Sequence, residues 1–226
     1  MLSLPTFIVS NQKRAGSLRW VRPLGAIALS TLGLLTLAPA ALAHHPLGGR
    51  LPSNFFEGLM SGVAHPVIGL DHFAFVIAAG LLAALSRQGI MIPVAFAIAG
   101  LAGTGIHLQS LDLPAPEFFI AASVLLFGVL LALKKSPNWK LVAGLGAVAG
   151  IFHGYAYGEA IVGADMTPLV AYLTGFTVIQ LAIALSMSAI GRAILKHHQM
   201  PELPLRFAGF AICGVGATFL SSVILG

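Results

Sequence analysis

The stretch His65-Pro66-Val67-Ile68-Gly69-Leu70-Asp71-His72, followed at once by the uncharged run Phe73 to Leu85, sets two imidazoles and a carboxylate against a long apolar segment. Ionisable groups inside a bilayer are expensive and are kept where they line a substrate path, relay protons or pair with one another. On a continuous helix His65 and His72, seven residues and about two turns apart, share one face, with Asp71 one step round from His72. Pro66 removes a backbone donor and Gly69 loosens the helix. The same residues therefore also fit a broken helix whose freed carbonyls and side chains line a polar cavity. Either geometry lets the three polar groups converge.

The apolar setting extends over the whole chain. Of its 226 residues 58% are hydrophobic and only 8% charged, and the mean hydropathy is +0.94. That is the composition of an all-α integral membrane protein, not of a soluble domain. A formal charge of +5 is also seen in nucleic-acid binders, but here the basic residues fall in short clusters between apolar runs and not along one face, so they read as topology. The single cysteine, Cys213, lies inside a late apolar run; it can form no intrachain disulfide, and no cysteine pair has metal-site spacing.

Residues 1–43 have the three parts of a secretory signal: Lys13, Arg14, Arg19 and Arg22, then an apolar core from Leu24 to Leu37, then Ala41-Leu42-Ala43. Cleavage after Ala43 is expected, with an uncleaved first membrane helix as the alternative. The mature chain, 44–226, then starts at His44 and His45 outside the cytoplasm. The segment Asn54 to Ala64, interrupted by Glu57, Gly58 and Gly62 and with Ser53 as its expected cap, is too short to span and reads as an interfacial or half-helix. About six spans follow, near 70–86, 90–108, 116–133, 140–162, 168–190 and 205–225, each close to the ~20 residues a bilayer core requires.

Basic residues test that count, because Lys and Arg accumulate in cytoplasmic loops while orientation alternates from span to span. With the mature N-terminus outside, Arg87, then Lys134, Lys135 and Lys140, then Arg192, Lys196 and Arg206 all fall inside. The outer loops carry Asp112, Glu117 and Asp165 and no Lys or Arg. The alternation implies a multi-pass protein of a cytoplasmic membrane with both mature termini on the outer face.

The fourth span holds Gly146, Gly150, Gly154 and Gly158 at four-residue steps, a ridge of small residues that lets a neighbouring helix approach closely in lipid. Helix packing accounts for the glycines. It does not account for His153, Tyr157 and Glu159 beside them.

For His65, Asp71 and His72 a hydrogen-bonded structural cluster is the plain reading, but burying such groups without a role costs several kcal/mol. Neutral imidazole and carboxylate are ligands for Ni, Co, Zn, Cu or Fe, so a divalent transition cation is their natural occupant, and ligand type alone does not choose among these metals. His153 and Glu159 make a second candidate pair toward the outer end of their span, and His107 near the outer end of the second span is a weaker candidate for the same vestibule. His44 and His45 are weaker candidates for first capture of a cation. His197 and His198 lie in a basic loop and read as solvated.

Absences narrow the field. The chain has no G-x-x-x-x-G-K-[ST] stretch for a nucleotide, no H-E-x-x-H and no closely spaced histidine boxes; Ser61 before Gly62 has no base beside it in sequence. No prosthetic group, nucleotide or nucleic acid is expected as a partner.

The run from His65 to Phe73 with Val76-Ile77-Ala78-Ala79-Gly80, and the stretch Phe152-His153-Gly154-Tyr155-Ala156-Tyr157-Gly158-Glu159, resemble the two signatures of the HupE/UreJ family of hydrogenase- and urease-associated permeases. The resemblance covers the mature chain. It implies a six-span secondary permease with a cleaved signal, carrying nickel, in some members cobalt, for nickel enzymes. Members commonly have histidine where this chain has Tyr157, which leaves the second site one imidazole short. The reading that follows is uptake of Ni²⁺ (or Co²⁺) as substrate through His65, Asp71, His72, His153 and Glu159. An intramembrane metalloenzyme with the same ligands is one alternative, and a non-transporting partner that hands metal to a metallochaperone is another; a homo-oligomer fits any of the three.

Two outcomes test the sequence reading. The intact mass of membrane-purified protein is expected to start at His44, and a retained Met1 defeats cleavage. A cysteine placed at Ser136 is expected to resist an impermeant thiol reagent in intact cells, and ready labelling there overturns the span count.

Overall fold

The computed structural model describes residues 50–135, 137–197, 200 and 202–226, so the expected signal, His44, His45 and His198 lie outside the described residues. The described chain is all-helical: α1 (Phe55–Ile68), α2 (Leu70–Ala84), α3 (Met91–Leu108), α4 (Pro116–Ala132), α5 (Trp139–Glu159), α6 (Met166–His197) and α7 (Glu202–Leu225). It is a multi-pass membrane fold. Helices α3, α5, α6 and α7 have the length and apolarity to cross a bilayer, and α1 with α2 passes as one bent pair. At 17 residues, α4 sits at the short end of the ~17–25 that suffice.

Each of the six apolar segments read from sequence holds a helix, with two differences. The short first helix does not stop near Ala64 but runs on to Ile68, taking His65 and Pro66 into its last turn. Its cap is Asn54 and not Ser53: the Asn54 side chain accepts the Glu57 N–H (3.0 Å), while the Ser53 N–H and hydroxyl both donate to the Glu57 carboxylate (2.9 and 3.0 Å). Arg50 closes this cap with two bonds of 3.0 Å to the same carboxylate. The other difference is α6, whose 32 residues reach well past the expected 190. At 1.5 Å per residue it is about 48 Å long, so its last turns, with Lys196 and His197 exposed, extend beyond an apolar core of ~30 Å.

Helix α2 is the centre of the bundle. Twelve of its 15 residues are buried, and a helix apolar all round belongs inside. It packs against every other helix, most extensively α6 and α4. Around it the closest pairings are α3 with α5, α4 with α7, and α1 with α6. Glycine makes each of these possible. The expected ridge on α5 faces α3, with Gly150 against Phe96 and Gly154 against the backbone of Gly100. Gly58 and Gly62 of α1 lie on the backbone of Pro168 and Tyr172 in α6, and Gly128 of α4 faces Gly209 and Cys213 of α7.

A side chain at Gly154 has no room: even a Cβ would overlap the Gly100 backbone, which cannot move aside as a flexible side-chain tip would. Gly154→Leu is therefore expected to lower the amount of folded protein in the membrane several-fold, read by immunoblot and by thermal unfolding in detergent. A variant with wild-type level and melting would show that α3 and α5 do not make this contact.

Candidate functional site

The site begins at the break between α1 and α2. Gly69 (φ −71°, ψ 101°) ends one helix and starts the next, and the two axes differ by 79°. The Gly69 N–H donates to the His65 carbonyl (3.1 Å) and its own carbonyl accepts the Phe73 N–H (2.8 Å), so one residue belongs to both helices. Of the two geometries the sequence allowed, the broken helix is the one adopted. A break of this kind leaves the last carbonyls of α1 and the first N–H groups of α2 without intrahelical partners.

The eight residues then divide by face. Val67, Ile68 and Leu70 are exposed, whereas His65, Asp71 and His72 are buried. Asp71 stands in the first turn of α2, where a carboxylate is favoured by the helix dipole, and it accepts the His72 N–H (2.8 Å). Gly69 leaves space for this arrangement, since a Cβ there would fall 2.7 Å from the His72 ring and 3.3 Å from the Asp71 carboxylate.

Helix α5 brings His153 to the same place. Its Nδ1 lies 2.7 Å from Nδ1 of His72, and its Nε2 lies 2.9 Å from the Ser123 hydroxyl of α4, which itself donates to the Ile120 carbonyl (2.7 Å). On the other side, Nδ1 of His65 is 3.0 Å from the Tyr172 hydroxyl of α6, and that hydroxyl donates to the Tyr157 carbonyl (2.8 Å). The Tyr157 ring fills the space between the two histidines of the break, 5.0 Å from His65 and 4.7 Å from His72, and its hydroxyl is buried without a hydrogen-bond partner among the described residues. The side toward the middle of α2 is closed by aromatic rings: Phe75 lies 4.6 Å from His153 and packs on Phe96 and Phe127.

Four of the residues singled out in the sequence, His65, Asp71, His72 and His153, thus share one buried locality. The remaining two do not join it. Glu159 is exposed at the last position of α5, six residues and about 9 Å along the axis from His153. His107 packs its ring 4.4 Å from Tyr155, whose hydroxyl donates to Asp112 (3.3 Å), at that same end of the bundle. Among the described residues no three His, Cys, Asp or Glu side chains are arranged around a common point as a ready-made metal site.

Sequence reasoning missed Ser123 and Tyr172. Each carried a weak signal, since Ser123 is the sole hydroxyl in the apolar run of α4 and Tyr172 the sole phenol of α6. Serine in a membrane helix usually bonds back to its own backbone, as Ser123 also does, so its second contact was invisible without the packing. Gln180 was also missed: it is 1% exposed on α6, with neither end of its amide bonded within the described protein.

The three helices that carry the histidines, and the helices that support them, lie within a stretch with known relatives. Residues 32–219 match the HupE / UreJ protein family. The chain is 28% identical over 192 residues to Protein HupE of Rhizobium leguminosarum bv. viciae, a similarity that covers 84% of this chain and 96% of that protein. No solved structure matches it. A family match that takes in α1 to α6 whole and most of α7, including the break at Gly69 and the His153 turn of α5, places the chain in the HupE/UreJ family.

Proposed function

We propose that the protein is a secondary permease that takes up a divalent transition-metal cation, Ni²⁺ first and Co²⁺ next, across the cytoplasmic membrane for the maturation of nickel enzymes. The observation that carries this reading is the convergence of three imidazoles and a carboxylate, all buried, on a break in a membrane helix. Discontinuous helices whose ends and side chains meet inside the bundle are a recurrent way to build a transport site, because irregular backbone at membrane depth is tolerated only where it is covered by protein or lines a cavity. Imidazole nitrogen suits Ni²⁺ and Co²⁺, and a carboxylate at the α2 N-terminus offsets part of the charge brought in with the cation.

The cation loses waters to the imidazoles of His65 and His72 and to Asp71, with His153 behind His72. Glu159, Asp112 and His107 stand at the end of the bundle from which it arrives. Toward the basic end, Gln180 and Ser188 follow Tyr172 on the buried face of α6 at eight-residue steps and offer polar stations between apolar ones. The membrane potential drives inward passage by ~2.3 kcal/mol per elementary charge per 100 mV, with or without a coupled proton. No bond-making or bond-breaking step is assigned to the protein.

His72→Ala is expected to abolish uptake of radiolabelled Ni²⁺ at nearly unchanged protein level, and Asp71→Asn, which keeps the shape but removes the charge, to reduce it about tenfold or more, a loss of ~1.4 kcal/mol per tenfold. Uptake is normalised to membrane protein by immunoblot in cells given no organic substrate or added partner. Wild-type rates in both variants would make the break structural and remove the transport reading at its centre.

A further inference from the structure

We propose that Ser123 and Tyr172 are positioning residues that fix the proton on Nδ1 of His72 and of His65, so that both rings offer their Nε2 lone pairs to a divalent cation. This rests on the reading of those histidines as cation ligands. Its grounds are the directions of five hydrogen bonds. A hydroxyl has one proton to give. Ser123 gives its proton to the Ile120 carbonyl, which can only accept, so at His153 the serine oxygen is an acceptor and Nε2 of His153 carries the proton. A neutral imidazole bears one N–H, so Nδ1 of His153 is a lone pair. The Nδ1 of His72, 2.7 Å away, must then be the donor. With its single proton committed there, neutral His72 has its lone pair on Nε2.

The second chain runs the same way from another helix. Tyr172 gives its proton to the Tyr157 carbonyl, so its oxygen accepts from Nδ1 of His65, and the lone pair of neutral His65 is likewise on Nε2. Two independent relays, one anchored on α4 and one on α5 and α6, thus impose the same tautomer on the two histidines that flank the break. Metal-bound imidazoles recurrently donate their second N–H to an oxygen or another acceptor, which orients the ring and raises its basicity. Here that second contact is supplied before any cation arrives.

The relay through Ser123 is the sharper test because it is one hydroxyl long. In Ser123→Ala the Nε2–H of His153 loses its acceptor inside an apolar bundle. The reversed arrangement, His153 donating from Nδ1 to His72, then competes and moves the His72 proton to Nε2. Ser123 borders a groove of about 140 Å³ between α4 and α5, lined by Phe119, Leu126 and Phe152 among others, so the extra methyl of Ser123→Thr has somewhere to go. In Tyr172→Phe the ring is kept, and only His65 loses its directing partner.

The experiment is ¹⁵N magic-angle-spinning NMR of the full chain, histidine-labelled and reconstituted in liposomes without metal. It reads which nitrogen of each ring is protonated, with His65 and His72 assigned by the signals lost in His65→Gln and His72→Gln. The wild-type protein is expected to show protonated Nδ1 and bare Nε2 at both. Ser123→Ala is expected to introduce Nε2-protonated His72 and to weaken Ni²⁺ binding, measured by calorimetry on the purified protein, by about 10- to 100-fold, with Ser123→Thr restoring both. Tyr172→Phe is expected to mix the tautomers of His65 alone. Nε2-protonated His72 in the wild type, tautomers unmoved by either substitution, or moved tautomers with unchanged Ni²⁺ affinity would each overturn the assignment. A wild-type protein that shows both tautomers as described and yet neither binds nor takes up Ni²⁺ would instead overturn the reading of the site as a cation site.

Discussion

Two imidazole nitrogens 2.7 Å apart in the middle of an apolar bundle cannot both hold a proton, and much else in the structure follows from that contact between His72 and His153. It joins the central helix α2 to α5, and through Ser123 it reaches α4. In water such a bond would be exchanged freely for solvent. Inside the bundle both rings are fully buried, so the alternative is an unsatisfied polar group, which costs about 1–3 kcal/mol or more. The contact is therefore at once a clamp between helices and a constraint on where protons lie.

The break at Gly69 is what lets His72 take part. A straight helix through residues 55–84 would place His65 and His72 on one face about 10 Å apart along the axis. The 79° turn brings their ring centroids to 5.7 Å and swings Val67, Ile68 and Leu70 outward. Proline and glycine serve different ends here. Pro66 stays helical in the last turn of α1, two residues from its end, and Gly69 provides the turn and the room beside the His72 ring.

Much of this was legible in the sequence because the membrane restricts the alternatives. Apolar runs of spanning length and the four-residue glycine ridge of α5 each have one sensible meaning in lipid, and the helices fall where those signals put them. The shared place of His65, Asp71 and His72 was also readable, from the cost of leaving such groups in an apolar run, whereas His153 read as part of a second site and only the packing of α5 brings it to His72. Glu159, read with His153 as a second candidate pair, stands apart from it at the exposed end of α5. Six residues along a helix amount to more than a turn and a half, enough to carry a side chain from the buried turn at His153 to the exposed end of α5. Ser123 and Tyr172 stayed hidden for a different reason: a single hydroxyl in an apolar helix is satisfied locally in most cases, and only the packing of α4 and α6 shows what lies across from it.

The packing also explains why the site sits where it does. The closest backbone approaches occur within pairs, α3 on α5, α4 on α7 and α1 on α6, each permitted by glycine and each made of contacts that leave no space for a Cβ. Most hydrogen bonds of the site run between those pairs or tie them to the central helix: His153 of α5 to Ser123 of α4, Tyr172 of α6 to the backbone of α5, and His72 of α2 to His153, while the bond of His65 to Tyr172 stays within the α1–α6 pair. Backbone-to-backbone packing is stiff, because the atoms in contact have no rotamers to change. Side-chain hydrogen bonds across a junction hold it in register, yet each can be exchanged for another partner of suitable chemistry. The tyrosine between His65 and His72 stands at that junction with a ring whose hydroxyl has no hydrogen-bond partner among the described residues.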